Sequence, residues 1–598
     1  MTVTLPARNE VAHETTWAIE SIFATLADWE ATYKAVEESL PQLEAFRGKL
    51  GESAGMLAAF YDALVPAFVK VGQLYVYAQS SFDVDSNNQA MGALVGRAGG
   101  LFARFTAAAA FETPEILAID PAKLDGFIKS DSRLESWRHY FDNIQRQREH
   151  TRSAEVEEIL ALAGDPLSTP GTIYQVLSDA ELKFAEAVGA TGTKLEVARG
   201  SIDKLLSSPD RAVRKSAWES YADGFLSVKN TLAANLAGNI KTNVFNARVR
   251  HYPDAVSASL AASNVPSNVY ENVIAACNAH LPIWHRYWDI RRRALKLDKL
   301  ETCDIFAPLA QPVDVPLTQA IEWICDGLAP LGEEYVSTVR NGLTDERWVD
   351  VYPNKGKRNG AYSTGFYGTR PFILMSYANT IENVSTLAHE LGHSMHTWLT
   401  HKNQPFAYSN YTLFVAEIAS NFNQALVRSH LLKMNTDRNF QIAVLEEAMH
   451  NFHRYFFIMP ILAQFELHIH QQVEAGEALT ADGMGDYLAD LYTRGYGDAV
   501  KVDVPREGIT WAQFGHMYAN FYVYQYASGI AAANALAAGV LAAEKDAAAN
   551  YLKFLKTGNA LYPLDAVKVA GIDMAALGSM DRGFAVFEGY VNQLESLL

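Results

Sequence analysis

Two histidines four residues apart, His389 and His393, enclose Glu390, Leu391 and Gly392. On a helix, residues at that spacing share a face, so both imidazoles can converge on one ion. One helix cannot encircle an ion, so a second element must cross this one to supply a further ligand. Leu387, Leu391, Met395 and Trp398 give the helix an apolar face to pack with. Imidazole nitrogen suits zinc, and a catalytic zinc site keeps one position open for water. Glu390 follows the first histidine and stands beside that position. There a carboxylate can take a proton from water and later give it to a leaving amine.

The third ligand is sought first on the same helix. His396 continues the stripe, but it lies about 10 Å further along the axis. It is read as a supporting or substrate-facing residue, or as a helix-surface histidine. Between Glu390 and Asp437 the chain has a single acidic residue, Glu417, in the mostly apolar stretch Leu413–Asn421. A carboxylate there is costly unless it is paired or bound to a metal. Ser420, Asn421 and Gln424 share its helical face, so that side is expected to line a polar site. Further on, residues 511–526 gather His516 with Tyr518, Tyr522, Tyr524 and Tyr526. Phenol and neutral imidazole are donors suited to an oxyanion, although an aromatic stripe taken alone is more often core.

The 598 residues exceed what one hydrophobic core supports, so two or more domains are expected. From about Glu14 to Leu195 apolar residues recur at helical spacing, as in Phe23, Leu26, Trp29, Tyr33 and Val36. This stretch reads as an α-helical N-terminal domain, 1–197, followed by a catalytic domain, 198–598. Helices continue through the second part, interrupted by two runs of strand composition, 347–352 and 371–377, with a Gly-rich polar loop between them. The fold class is therefore mainly α, with a small β-sheet just upstream of the motif helix.

A net charge of −18 argues against nucleic acid and against an anionic membrane surface. Three cysteines, Cys277, Cys303 and Cys325, with no CxxC pair, argue against a disulfide framework and fit a reducing cytoplasm. The opening MTVTLPARNE lacks the features of a signal peptide. Without a run of eighteen apolar residues, no spanning helix is expected.

The motif with its preceding Thr386-Leu387-Ala388, followed by FVAEIAS and later by HMYANFYVYQYASG, resembles the oligoendopeptidase F branch of the thimet oligopeptidase-like zinc metallopeptidases. The ending, with Tyr562-Pro563-Leu564 and residues 570–574, is similar to that branch too, as is Gly360-Ala361-Tyr362-Ser363. The resemblance implies a zincin-type catalytic domain holding one zinc through His389, His393 and Glu417, with Glu390 as general base. It assigns His516 to the oxyanion side, with Tyr518, Tyr522 and Tyr524 competing for the tyrosine roles. It makes Phe372–Tyr377 the strand edge that pairs with an extended peptide, which points to Gly360, Ala361, Tyr362, Leu374, Ser376 and Tyr377 as substrate-binding residues. It also implies that the N-terminal domain is lid-like and encloses a channel, which restricts cleavage to short unfolded peptides.

Two other readings compete. Glu390 with His393 and Glu447 with His450 are both ExxH pairs, and with Glu417 and Glu466 they could build a di-iron carboxylate site. That reading leaves His389 unused. A helical peptide-binding protein with a structural zinc would need a closed set of four protein ligands, and only three are found.

Overall fold

The computed structural model describes residues 5–576 and 578–598. It is mainly helical, with strands only two or three residues long. The chain divides into two compact units, each drawn from three stretches. One takes Met1–Glu149, Asp314–His430 and Val540–Gly571; the other takes His150–Val313, Leu431–Gly539 and Ile572–Leu598. Neither unit is a continuous segment of the 1–197 and 198–598 kind.

In the first unit, helices Leu26–Glu44, Ala54–Asp83 and Gln89–Ala109 pack on one another. Each starts on a polar cap that satisfies an otherwise orphaned amide: Thr25 with Asp28, Ser53 with Met56 and Asn88 with Met91. Trp29, Leu57, Phe60, Leu74 and Leu101 are buried between them. Among the described residues, Ala54–Asp83 is the one helix long and apolar enough to cross a membrane by length and composition. Here it is a core helix, with Leu57, Phe60, Leu64, Val71 and Leu74 buried.

The sheet of this unit has three strands. Phe372–Leu374 lies in the middle, parallel to Val349–Asp350 and antiparallel to Tyr362–Thr364. The expectation that 371–377 forms an edge is therefore corrected. Phe372, Ile373 and Leu374 are fully buried, and the N–H groups of Met375 and Tyr377 donate to Asp350 and Val351. The composition that marked this run is that of a covered central strand. Leu374 has no surface to offer a substrate, and buried Tyr377 spends its hydroxyl on the Val315 carbonyl at 2.9 Å. Ser376 is exposed.

The actual edge is Tyr362–Thr364, and it is fastened from behind. The Tyr362 hydroxyl donates to Asp83 at 2.7 Å, and the Arg358 N–H donates to the Asp83 carbonyl at 2.8 Å. Arg8 and Lys357 both reach the fully buried Asp350 carboxylate on the other outer strand.

The second unit is built from further helices, among them Lys229–Val249, Ser267–Ala279, Leu281–Ala294, Arg438–Phe452, Met459–Glu474 and Ala481–Tyr496. A π-turn at His453–Ile458 joins two of them. Its buried charges are compensated: Asp304 accepts from Arg211 and Arg214, and Arg291 faces Glu446. His450, His453 and His470 are enclosed in this unit, and His468 stacks on Tyr487. Cys277, Cys303 and Cys325 are all buried free thiols.

Candidate active site

The motif lies on helix Ile381–Asn403, capped by Thr380, whose hydroxyl accepts the Asn383 N–H. Helix Leu413–Met434 crosses it closely. Gly392 marks the crossing, because a Cβ there would collide with the Ala419 carbonyl and the Ser420 backbone. A side chain there would force a wider crossing and carry Glu417 away from the histidines. As folded, Glu417 Oε2 lies 3.5 Å from His389 Nε2 and 3.9 Å from His393 Nε2. The three ligand atoms lie within 4.8 Å of one another, and each residue is half-buried. Two imidazole nitrogens and one carboxylate oxygen form a donor set that suits zinc and leaves room for a further ligand.

The surroundings prepare these atoms for a metal. His389 Nδ1 donates to Gln424 Oε1 at 2.9 Å, and Gln424 Nε2 donates to Ser385 Oγ at 2.8 Å. With Nδ1 carrying the proton, Nε2 keeps its lone pair for an ion. Burial, aided by nearby His389, lowers His393 to about 4 despite the opposing pull of Glu417, so its imidazole is neutral at neutral pH. The Ser420 hydroxyl donates to Glu417 Oε2 at 3.0 Å. Such outer partners typically contribute ~10–100-fold to metal affinity. Gln424→Ala is expected to weaken metal binding by about that factor, measured by competition with a chromogenic chelator. Unchanged affinity would remove Gln424 from the site.

Glu390 lies between the two histidines in sequence on the motif helix. It is buried, and burial raises its pKa above the usual carboxylate range, with Glu417 adding to the rise. His389 and an N–H donated by Ser363 pull the other way. Ser363 belongs to the edge strand, and its hydroxyl also meets Ser394 Oγ on the motif helix at 2.8 Å. The edge strand and the proton carrier are thus tied together.

His396 is not a ligand. It is buried, stacked on Tyr411 at 3.7 Å and packed against Phe554 at 5.4 Å. Among the described residues, His389, His393 and Glu417 are the only group of three or more side chains that could hold an ion. Glu447, His450 and Glu466 form no such group, which removes the di-iron arrangement.

The aromatic segment belongs to the second unit. His516 Nε2 lies 3.4 Å from the Tyr526 hydroxyl, and the Tyr522 ring is parallel to the imidazole at 6.1 Å. Burial lowers His516 to about 4, helped by Arg454 and Arg199, so it too is neutral. Tyr518 accepts from Asn235 at 3.0 Å and packs tilted against Tyr174. Tyr524 departs from that set: it is buried against Tyr270, at 4.9 Å between ring centres. Tyr526, which the sequence reading left out of the tyrosine set, meets His516 instead. Its two-residue offset from Tyr524 at the start of a helix was the available signal.

Comparison with known proteins finds the chain similar to oligopeptidases along its whole length. The family model described as Peptidase family M3 matches residues 204–586, and the one described as Oligopeptidase F matches residues 115–184. Oligopeptidase PepF of Bacillus subtilis is 38% identical, over 99% of this chain and 89% of its own. Group B oligopeptidase PepB of Streptococcus agalactiae is 34% identical, over 99% and 98%. The crystal structure of oligoendopeptidase-F from Enterococcus faecium superposes with a TM-score of 0.75 at 31% identity, over 96% of this chain and 99% of that one.

Proposed function

The chain belongs to peptidase family M3, on its oligoendopeptidase F branch, and is a metalloendopeptidase; from that premise we propose that it hydrolyses internal bonds of short, unfolded peptides with a single zinc held by His389, His393 and Glu417. The observation that carries the reading is the convergence of those three ligand atoms beside the buried carboxyl of Glu390. Bound there, zinc would supply Lewis acidity and lower the pKa of a water.

The protein's own groups account for the rest. An extended peptide adds to the edge strand Tyr362–Thr364 through main-chain hydrogen bonds, with Gly360 and Ala361 leading into that edge and exposed Ser376 nearby in sequence to its partner strand. Such pairing reads backbone, so side-chain preference is weak and the substrate must be unfolded where it binds. Glu390 accepts the proton of the attacking water and returns it to the departing amine. Its burial favours the neutral form it takes after that first transfer, which makes it the stronger base for taking the proton. His516, with Tyr522 or Tyr526, donates to the oxygen on which charge develops. The free buried thiols suit a reducing compartment, and we place the enzyme in the cytoplasm.

The test is a digest of mixed short peptides beside a native, stably folded globular protein, with and without a chelator, read by mass. Internal cleavage of the peptides that stops with chelator and returns with zinc is the expected result, with the folded protein intact. Cleavage of the folded protein at rates matching the peptides would overturn the substrate class. Peptide hydrolysis indifferent to the chelator would overturn the metal.

A further inference from the structure

Glu466 was set apart in the sequence as a possible metal ligand, and the structure gives it a different task. It lies on helix Met459–Glu474 of the second unit, 1% exposed. Its Oε1 accepts the backbone N–H of Phe521 at 2.8 Å, and its Oε2 meets no partner among the described residues. A buried carboxyl with a single hydrogen bond is costly, so the position of that bond needs an explanation.

The bond falls on Phe521, whose backbone is itself strained. Its φ is 50°, the left-handed region that a non-glycine residue enters only when its surroundings hold it there. The ring is buried, edge-on to Tyr270 at 5.4 Å and beside His470 at 4.4 Å. The neighbouring Asn520 carbonyl accepts from Ser259 Oγ at 2.7 Å. This turn separates His516 from the helix that starts at Tyr524, with the imidazole parallel to the Tyr522 ring and edge-on to that of Tyr526.

We propose that Glu466 is a positioning residue for the reaction: by accepting the Phe521 N–H it holds the left-handed turn that aligns His516 with Tyr522 and Tyr526. The inference rests on the reading of that group as the oxyanion donors. Glu466 touches no substrate itself. The acceptor is required, and its charge is not. Burial raises Glu466 to about 8, so the neutral acid is the form that holds the turn at neutral pH. The titratable groups facing it are Tyr270 from helix Ser267–Ala279, His470 from its own helix, and Tyr524 packed on Tyr270; burial keeps all three uncharged at neutral pH.

The experiment uses the full zinc-loaded chain and three variants, Glu466→Leu, Glu466→Gln and His516→Ala. It measures kcat and KM on a short peptide, together with amide exchange of residues 519–523. Leucine fills the space and orphans the Phe521 N–H. It is expected to lower kcat about tenfold with KM within about twofold, and to speed exchange in the turn, because misaligned donors lose transition-state contacts first. Glutamine presents the same acceptor and is expected to restore both readings. This arm stands even if the leucine variant folds poorly.

Wild-type kcat in Glu466→Leu with a loosened turn, alongside a large loss in His516→Ala, would overturn the positioning role alone. An equal loss in the glutamine and leucine variants would overturn the acceptor argument. Wild-type turnover in His516→Ala would overturn the oxyanion reading, and the inference with it.

Discussion

Glu390→Gln is expected to keep its full complement of zinc and to lose about 10³-fold in kcat, within the range of ~10²–10⁴ that positioned acid–base groups contribute. The ligand atoms belong to His389, His393 and Glu417, and none is altered. Glutamine matches the carboxyl in shape and can still accept the Ser363 N–H that reaches Glu390. It cannot take a proton, so the fold, the edge strand and metal binding should be preserved while the chemical step fails. The loss should therefore fall on kcat, with KM nearly unchanged. Metal content per chain and steady-state turnover on one peptide are sufficient measurements. Full zinc with wild-type turnover would show that another group carries the proton.

Much of this centre was legible in the sequence because each residue stands out chemically from its setting. The two histidines fix a helix and a face, and Glu417 is the lone acid in an apolar helix. Gln424 was readable as part of the same polar face, and its bond to His389 explains why that face is polar. The edge strand was harder to read. Composition marks the strand most deeply covered, and here that strand, Phe372–Leu374, is the central one. The half-buried Tyr362–Thr364 has the weaker strand signal yet carries the open edge. The role of Gly392 depends on a helix crossing that no local pattern encodes. The same is true of the carboxyl of Glu466, which is 55 residues from the amide it holds. Compact units drawn from three stretches each are likewise invisible to a reading that moves along the chain looking for one boundary.

Glu417→Ala and His396→Phe should separate sharply in metal affinity, although both alter residues that could be drawn into one histidine- and acid-rich stripe. Glu417 reaches the site from a second helix, and its Oε2 closes the triangle with two imidazole nitrogens. Removing it leaves two ligands, both on one helix, and opens the site to water. The loss should exceed the ~10–100-fold typical of an outer-shell partner. His396 lies one helical step too far along the axis. Its ring is held between Tyr411 and Phe554, and its Nδ1 has no partner among the described residues. Burial lowers its pKa to about 3, so it carries no charge that phenylalanine would remove. Phenylalanine preserves the stacked ring and removes the unpartnered Nδ1. Its zinc affinity is therefore expected to stay within about twofold of wild type, in keeping with a site whose outer partners lie elsewhere. Competition with a chelator of known affinity, run on both variants at one pH, decides the matter. Retained zinc in Glu417→Ala, together with lost zinc in His396→Phe, would mean that the ion sits further along the motif helix than the cluster of His389, His393 and Glu417.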